Sequence, residues 1–138
     1  MCVYIETKRL ILREIEDSDL DGIFELDSNP LVHKYLGNKP IKNITEAEKI
    51  IQFIQKQYIE RGVGRLVAIE KATGEFIGWS GLKLNTGIEE ELNEKQDFYD
   101  IGYRLIPKFW GKGYATESSI KMLKYGFEKL NFETIDVI

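Results

Sequence analysis

The segment with the clearest chemical content runs from Pro107 to Glu117 and reads Pro-Lys-Phe-Trp-Gly-Lys-Gly-Tyr-Ala-Thr-Glu. It links a predicted strand to a predicted helix, and its glycines let a ligand approach the backbone without a Cβ in the way. The start of a helix leaves free amides and a partial positive charge, and Lys112 adds a full positive charge beside them. The segment therefore predicts a binding site for a phosphate group.

Other glycine-rich motifs fit this segment less well. A dinucleotide-binding fingerprint requires glycine where Thr116 stands, and only 22 residues follow Thr116. A P-loop requires serine or threonine after its lysine, whereas Gly113 follows Lys112. A plain turn that only starts a helix stays open as an alternative.

The segment and the strand before it resemble the core of the GNAT acetyltransferases, and within them the group of ribosomal-protein N-terminal acetyltransferases of the RimJ and RimL kind. The family's pyrophosphate motif is glutamine or arginine, two residues, glycine, one residue, then glycine or alanine. It falls on Trp110, Gly113 and Ala115, and Trp110 departs from it. Residues 6–13, 71–78 and 101–105 are also similar to that group, so the likeness runs over nearly the whole chain.

The resemblance implies one domain over residues 1–138 with an α/β (α+β) fold, in which helices flank a mixed, mostly antiparallel sheet. It implies acetyl-coenzyme A as the co-substrate and no metal. The pantetheine arm would pair with the end of the strand, and the pyrophosphate would rest on the loop and the helix start. The implied cofactor-binding residues are Tyr103, Arg104, Leu105, Gly111, Lys112, Gly113, Tyr114, Ala115 and Thr116.

The expected function is transfer of an acetyl group to a primary amine, of a protein N-terminus or of a small molecule, by direct attack in a ternary complex. The family fold normally continues beyond the last predicted strand, so its C-terminal part is expected to be missing here. The helix in that part usually offers a tyrosine that protonates the departing thiolate. A catalytically weak acyl-CoA-binding module, acting as a sensor or partner subunit, is therefore the alternative, and a nucleotide-binding role ranks third.

Attack on the thioester requires a neutral amine. A lysine-type amine is only about 0.04% neutral at pH 7, whereas an α-amine is roughly 10–15% neutral, so only the first demands a strong general base. Asp100 is the predicted base, because it lies on the strand beside the expected thioester, on the opposite face from Tyr99 and Ile101. A carboxylate that merely pairs with a neighbouring cation is the alternative.

The predicted order of elements is β-α-α-β-β-β-α-β. One strand is expected over residues 4–15, a short helix capped by residues 16–19, and a longer helix that Thr45 and Glu48 cap and that ends at Arg61. The remaining strands are predicted over 66–70, 76–84, 98–105 and 132–138. The last helix is predicted over 113–130 with an apolar stripe formed by Ile120, Leu123, Phe127 and Leu130.

Composition agrees with a globular enzyme of this kind. The net charge is −4 and shows no basic cluster, which argues against nucleic acid as a partner. The acidic run with Glu89, Glu90, Glu91 and Glu94 could attract a cationic substrate, although a solvated loop is the favoured interpretation. A signal peptide and a membrane span are not predicted, so the expected location is cytoplasmic. An exposed last strand predicts a homodimer through that edge.

Overall fold

Six strands form one sheet in the order of the sequence. The structure is a computed structural model that describes residues 3–34, 38–86 and 97–137. The strands are β1 Tyr4–Glu6, β2 Leu10–Arg13, β3 Leu66–Glu70, β4 Phe76–Asn85, β5 Phe98–Leu105 and β6 Asp136–Val137. Neighbouring strands from β1 to β5 are antiparallel, and β6 runs parallel to β5. The predicted mixed, mostly antiparallel sheet is confirmed.

Helices cover both faces of this sheet. They are α1 Leu20–Asp27, α2 Pro30–His33, α3 Ile44–Arg61 and α4 Tyr114–Lys124. Alternate residues of β3 separate the two layers of the core: Leu66 and Ala68 pack in one cluster with Met122 of α4, and Val67 packs with Ile51 of α3. The helices α1 and α3 therefore lie on one face and α4 on the other.

Three predicted elements differ from the structure near the N-terminus and at the start of α3. The single strand over 4–15 is two strands, because the chain turns where Thr7 N donates to Leu10 O at 2.9 Å. The cap of α3 is Asn43, whose side chain accepts from Glu46 N, and the predicted Thr45–Glu48 capping box was wrong. An additional short helix, α2, starts at Pro30 with Asn29 as its N-cap.

The last helix and the last strand also differ from their predictions. Helix α4 ends at Lys124 and continues as a π-helical turn over Tyr125–Lys129. Its buried side chains are Tyr114, Ser118 and Met122. Two residues of the predicted stripe are exposed, namely Ile120 and Phe127. The last strand is only Asp136–Val137, and association through this edge stays a prediction.

Three further expectations concern the acidic run, a metal site and a membrane span. The acidic run with Glu89, Glu90, Glu91 and Glu94 lies outside the described residues. Within the described ranges, no group of three or more His, Cys, Asp or Glu side chains could hold a metal ion. None of the described helices is long and apolar enough to cross a membrane.

Candidate functional site

The loop between β5 and α4 ends in a helix start that carries no side-chain cap. Gly113 is the N-cap of α4 and has φ 82°, a left-handed conformation that L side chains rarely adopt. The first bond of this helix runs from Glu117 N to Gly113 O at 3.0 Å. The amides of Tyr114, Ala115 and Thr116 precede it and have no intrahelical acceptor. They form a site at which an anion is stabilised by N–H donors and by the helix dipole.

Arg9 supplies a positive charge at this helix start that the sequence analysis missed. Its guanidinium lies 4.3 Å from the centre of the Tyr114 ring, and its Nη1 donates to Lys112 O at 2.9 Å. A Cβ on Gly113 would lie 3.4 Å from Arg9 Nη2. Arg9 is distant in sequence from this loop. Its place in the opening segment that resembles the GNAT family was the one indication that it could belong to the site.

The end of β5 presents part of its backbone to the same region. Ile106 N donates to Ile77 O at 2.9 Å, and the β4–β5 register pairs Gly78 with Leu105. Alternation along an antiparallel ladder then directs the peptide groups of Arg104 towards β4, and those of Tyr103 and Leu105 away from it. On that side β6 pairs with Asp100 and Ile101, before the strand reaches Tyr103. Leu105 O accepts from Trp110 Nε1 at 2.8 Å.

One cleft of about 540 Å³ joins the end of β5 to the helix start. Eight of the nine predicted cofactor-binding residues line it: Tyr103, Arg104, Leu105, Gly111, Gly113, Tyr114, Ala115 and Thr116. The ninth, Lys112, does not line it, and its Nζ lies 5.6 Å from the centre of the Phe109 ring. Four lining residues were not predicted: Leu31, Val32, Phe109 and Trp110. Leu31 and Val32 reach the cleft because Pro30 starts the extra helix α2 there.

Asp100 lies in a buried ion pair and lines neither this cleft nor the second cleft described below. Its side chain is only 4% exposed, and Arg65 Nη1 lies 2.6 Å from its Oδ1. Asn85 Nδ2 donates to its Oδ2 at 2.7 Å. Burial lowers the pKa of Arg65, and the charge of Asp100 offsets part of that effect. A cation and an amide donor therefore occupy both oxygens of the predicted base.

A second cleft, of about 590 Å³, lies on the α1–α3 side of the sheet. Its lining includes Arg65 and Trp79 from the sheet and Phe53 from α3. Arg104 is a lining residue of both this cleft and the first one. Arg104 Nη1 donates to Asp27 Oδ1 at 2.6 Å. The buried His33 has its Nε2 3.8 Å from the same oxygen.

A strand edge, a glycine loop and an uncapped helix start around one cleft define a class of proteins that bind a phosphorylated, extended ligand. The comparisons with known proteins identify the family. The model of the acetyltransferase (GNAT) domain matches residues 9–138. An uncharacterized N-acetyltransferase, p20, of Bacillus licheniformis is 34% identical over 130 residues, which cover 94% of this chain and 69% of that protein. The chain belongs to the GNAT acetyltransferase family.

Solved structures agree with this assignment. The spermidine N-acetyltransferase of Vibrio cholerae, in complex with CoA and spermine, is 25% identical with a TM-score of 0.69, over 94% of this chain and 70% of that one. RimL, a ribosomal L7/L12 α-N-protein acetyltransferase in complex with coenzyme A, is similar in fold. It is 18% identical with a TM-score of 0.71, over 98% of this chain and 73% of that one. The predicted resemblance to the GNAT family and to its RimL-like members is confirmed.

The residues of the first cleft fit the cofactor of this family. GNAT acetyltransferases transfer an acetyl group from acetyl-coenzyme A to amines. The uncapped amides at the start of α4 and the neighbouring guanidinium of Arg9 suit a pyrophosphate. The outward peptide groups of Tyr103 and Leu105 suit the amides of a pantetheine arm. The cleft therefore offers a donor set for both parts of the molecule.

Proposed function

We propose that this protein is an acetyl-coenzyme A-dependent N-acetyltransferase that acetylates a primary amine by direct attack in a ternary complex. The observation that carries the proposal is the first cleft, which brings the open end of β5 and the uncapped start of α4 together. In this proposal Gly111, Gly113, Tyr114, Ala115 and Thr116 hold the pyrophosphate through their backbone. Tyr103 and Leu105 hold the pantetheine arm, and Arg104 lies at the inner end of the cleft.

The second cleft supports the ternary complex. It opens on the α1–α3 side, whereas the helix start that would hold the pyrophosphate belongs to α4 on the other side. Both clefts reach Arg104, so an amine in the second cleft approaches the inner end of the first. Bound acetyl-coenzyme A supplies an activated carbonyl group. The protein's own contribution is to hold the two reactants at this junction, which replaces an encounter in solution.

The role that we propose for Asp100 differs from the general base that the sequence predicted. A general base must reach the proton that it removes, through one hydrogen bond or one water. Arg65 and Asn85 already contact the Asp100 carboxylate, which lines neither cleft. We propose that Asp100 is a positioning residue that fixes the Arg65 guanidinium in the wall of the second cleft. The amine then loses its proton to water before the attack, a step that costs less the lower the pKa of the amine.

Two measurements on the same protein test the proposal. Calorimetric titration with coenzyme A reports binding to the first cleft, and release of free thiol from acetyl-coenzyme A with a panel of amines reports turnover. The expected result is saturable binding and amine-dependent thiol release. Coenzyme A binding without turnover on any amine would leave a binding module and contradict the enzyme assignment. Loss of both would remove the cofactor assignment as well.

A further inference from the structure

The chemistry of the second cleft points to the kind of amine that this protein accepts. The inference rests on the proposed function, because it treats this cleft as the acceptor site. Its wall combines an indole ring with two guanidinium groups: Arg65 lies 5.2 Å and Arg104 5.3 Å from the centre of the Trp79 ring. Lys49 at the exposed rim and Lys83 of β4 also line the cleft, and so does Asp27. Among the described residues, the lining therefore carries four cationic side chains and one carboxylate.

The nearby carboxylates do not occupy all the N–H donors of the two guanidinium groups. Asp27 contacts Arg104 through Nη1, and Asp100 contacts Arg65 through Nη1. Among the described residues, the polar contacts of Arg104 and Arg65 run through Nη1, which in Arg65 also donates to Gly81 O, whereas a guanidinium carries five N–H donors. Arg65 is also incompletely compensated, since burial lowers its pKa in spite of Asp100. An additional carboxylate in the cleft would satisfy donors that the fold leaves over.

Apart from Gln57 and the charged residues, the rest of the lining is apolar. Phe53 is 53% exposed, and Ile50 and Ile54 extend the same wall along α3. Apolar walls with a few convergent polar groups are typical of small-molecule sites. A ligand that fits would carry an apolar or aromatic group for this wall and an anion for the guanidinium groups.

We infer that the acceptor is a small amine that also carries a carboxylate and an apolar side group, as an amino acid does. The planar guanidinium matches a carboxylate through paired hydrogen bonds, which gives Arg65 and Arg104 a recognition role that a single lysine would not have. A polyamine, by contrast, would bring further positive charge next to these arginines. A protein N-terminus would lack the carboxylate beside its amine.

The sharpest test measures binding of the expected product, because a product has no amine to ionise. N-acetylphenylalanine and its carboxamide are titrated into the protein saturated with coenzyme A. They differ only in the carboxylate, and the expected dissociation constant is at least about tenfold lower for the acid, the value of one charge-assisted contact. Equal binding of the two compounds would overturn the inference, whether or not the protein turns over.

Turnover with the amines themselves is measured separately. Phenylalanine and leucine are compared with their carboxamides and with spermidine by thiol release. Loss of the carboxylate lowers the pKa of the neighbouring amine and raises its neutral fraction, so a higher kcat/KM for the acids would mean that recognition outweighs reactivity. Carboxylate-selective product binding without thiol release would contradict the proposed function and leave this inference standing. Preference for spermidine over both amino acids would overturn the inference.

A pair of charge reversals tests the location of the site without disturbing the core. Lys49→Glu places a negative charge at the rim of the cleft, and Lys121→Glu makes the same change on an exposed residue of α4, across the sheet. The first is expected to weaken binding of N-acetylphenylalanine by about threefold to tenfold, as a rim charge does, and to leave its carboxamide unchanged. The second should change neither. Equal effects of both variants would place the carboxylate outside this cleft.

Discussion

Arg9 Nε lies 2.7 Å from Glu117 Oε1, although the two residues are 108 positions apart in the chain. Glu117 also accepts from Thr7 Oγ1 at 2.5 Å and from Arg9 N at 2.9 Å. One carboxylate thus ties the turn before β2 to the first turn of α4 and holds the Arg9 guanidinium beside Gly113. The position of a cation at the anion site is set by a contact between the two ends of the fold.

The first prediction concerns Glu117. Burial alone would raise its pKa, but the hydrogen bonds from Thr7 and Arg9 outweigh burial and lower it below the ordinary value of 4.5. A lowered carboxyl pKa stabilises the folded state above 4.5, and this contribution is lost as the pH falls through the folded-state pKa. Glu117→Gln is expected to lower the free energy of unfolding by about 1–3 kcal/mol at pH 7.

The difference between Glu117→Gln and the parent should shrink as the pH falls below 4.5, as measured by urea unfolding over a pH series. Glu128→Gln, on the exposed π-helical turn after α4, is the control and should change stability little. A difference that stays constant down to acid pH would mean that the Glu117 charge does not stabilise the fold.

A second prediction concerns the anion site. Gly113→Ala adds a Cβ at the N-cap of α4 with φ 82°, next to the amides that would hold the pyrophosphate. Each lost charge-assisted hydrogen bond costs about 1.5–3 kcal/mol, so the affinity for coenzyme A should fall by roughly tenfold to several hundredfold. Lys112→Ala should cost less, since the amides remain.

The control for backbone strain is Gly74→Ala. Gly74 lies in the β3–β4 turn with φ 74°, so the same substitution meets the same left-handed conformation far from the cleft. Calorimetric titration with coenzyme A compares the three variants. If Gly113→Ala binds like Gly74→Ala, the loop is only a turn and the acyl-CoA site lies elsewhere.

A third prediction separates the two parts considered for Asp100. Asp100→Asn removes the charge that fixes Arg65 and should lower kcat/KM for the amine about tenfold, with coenzyme A affinity nearly unchanged. If Asp100 is a positioning residue, its substitution raises KM for a carboxylate-bearing amine and does not change the shape of the pH–rate profile. If Asp100 is the general base, its substitution removes the acidic limb of the pH–rate profile. That result would identify Asp100 as the proton acceptor.

A fourth prediction concerns the Tyr58 hydroxyl, which contacts the backbone of Arg65 in the wall of the second cleft. Tyr58 Oη donates to Arg65 O and accepts from Ile15 N at 3.1 Å. Tyr58→Phe leaves both backbone groups without this partner and should lower the free energy of unfolding by about 1–3 kcal/mol. Tyr4→Phe is the matched control, because Tyr4 is 60% exposed and its loss should be close to zero. Thermal unfolding of the two variants measures the difference, and equal values would show that water replaces the Tyr58 hydroxyl.

Much of the site could be predicted because its parts are local in sequence. A strand, two glycines and a helix start lie within residues 98–124, and hydrogen bonds between near neighbours decide their conformation. The N-cap of α3 and the division of residues 4–15 into β1 and β2 were harder to predict. In both places several polar side chains could accept from the same amides. In the structure, Asn43 accepts from Glu46 N and Thr7 accepts from Leu10 N.

The sequence by itself determined the family, the order of most elements and eight of the twelve residues that line the first cleft, since these depend on spacing within short segments. Only the tertiary structure decided which side chains meet across the sheet. It placed Arg65 against Asp100, Arg9 against Glu117, and Arg104 in the lining of both clefts. The reason is physical: a buried charge is stable only with a partner, and packing of distant elements, not sequence spacing, chooses that partner.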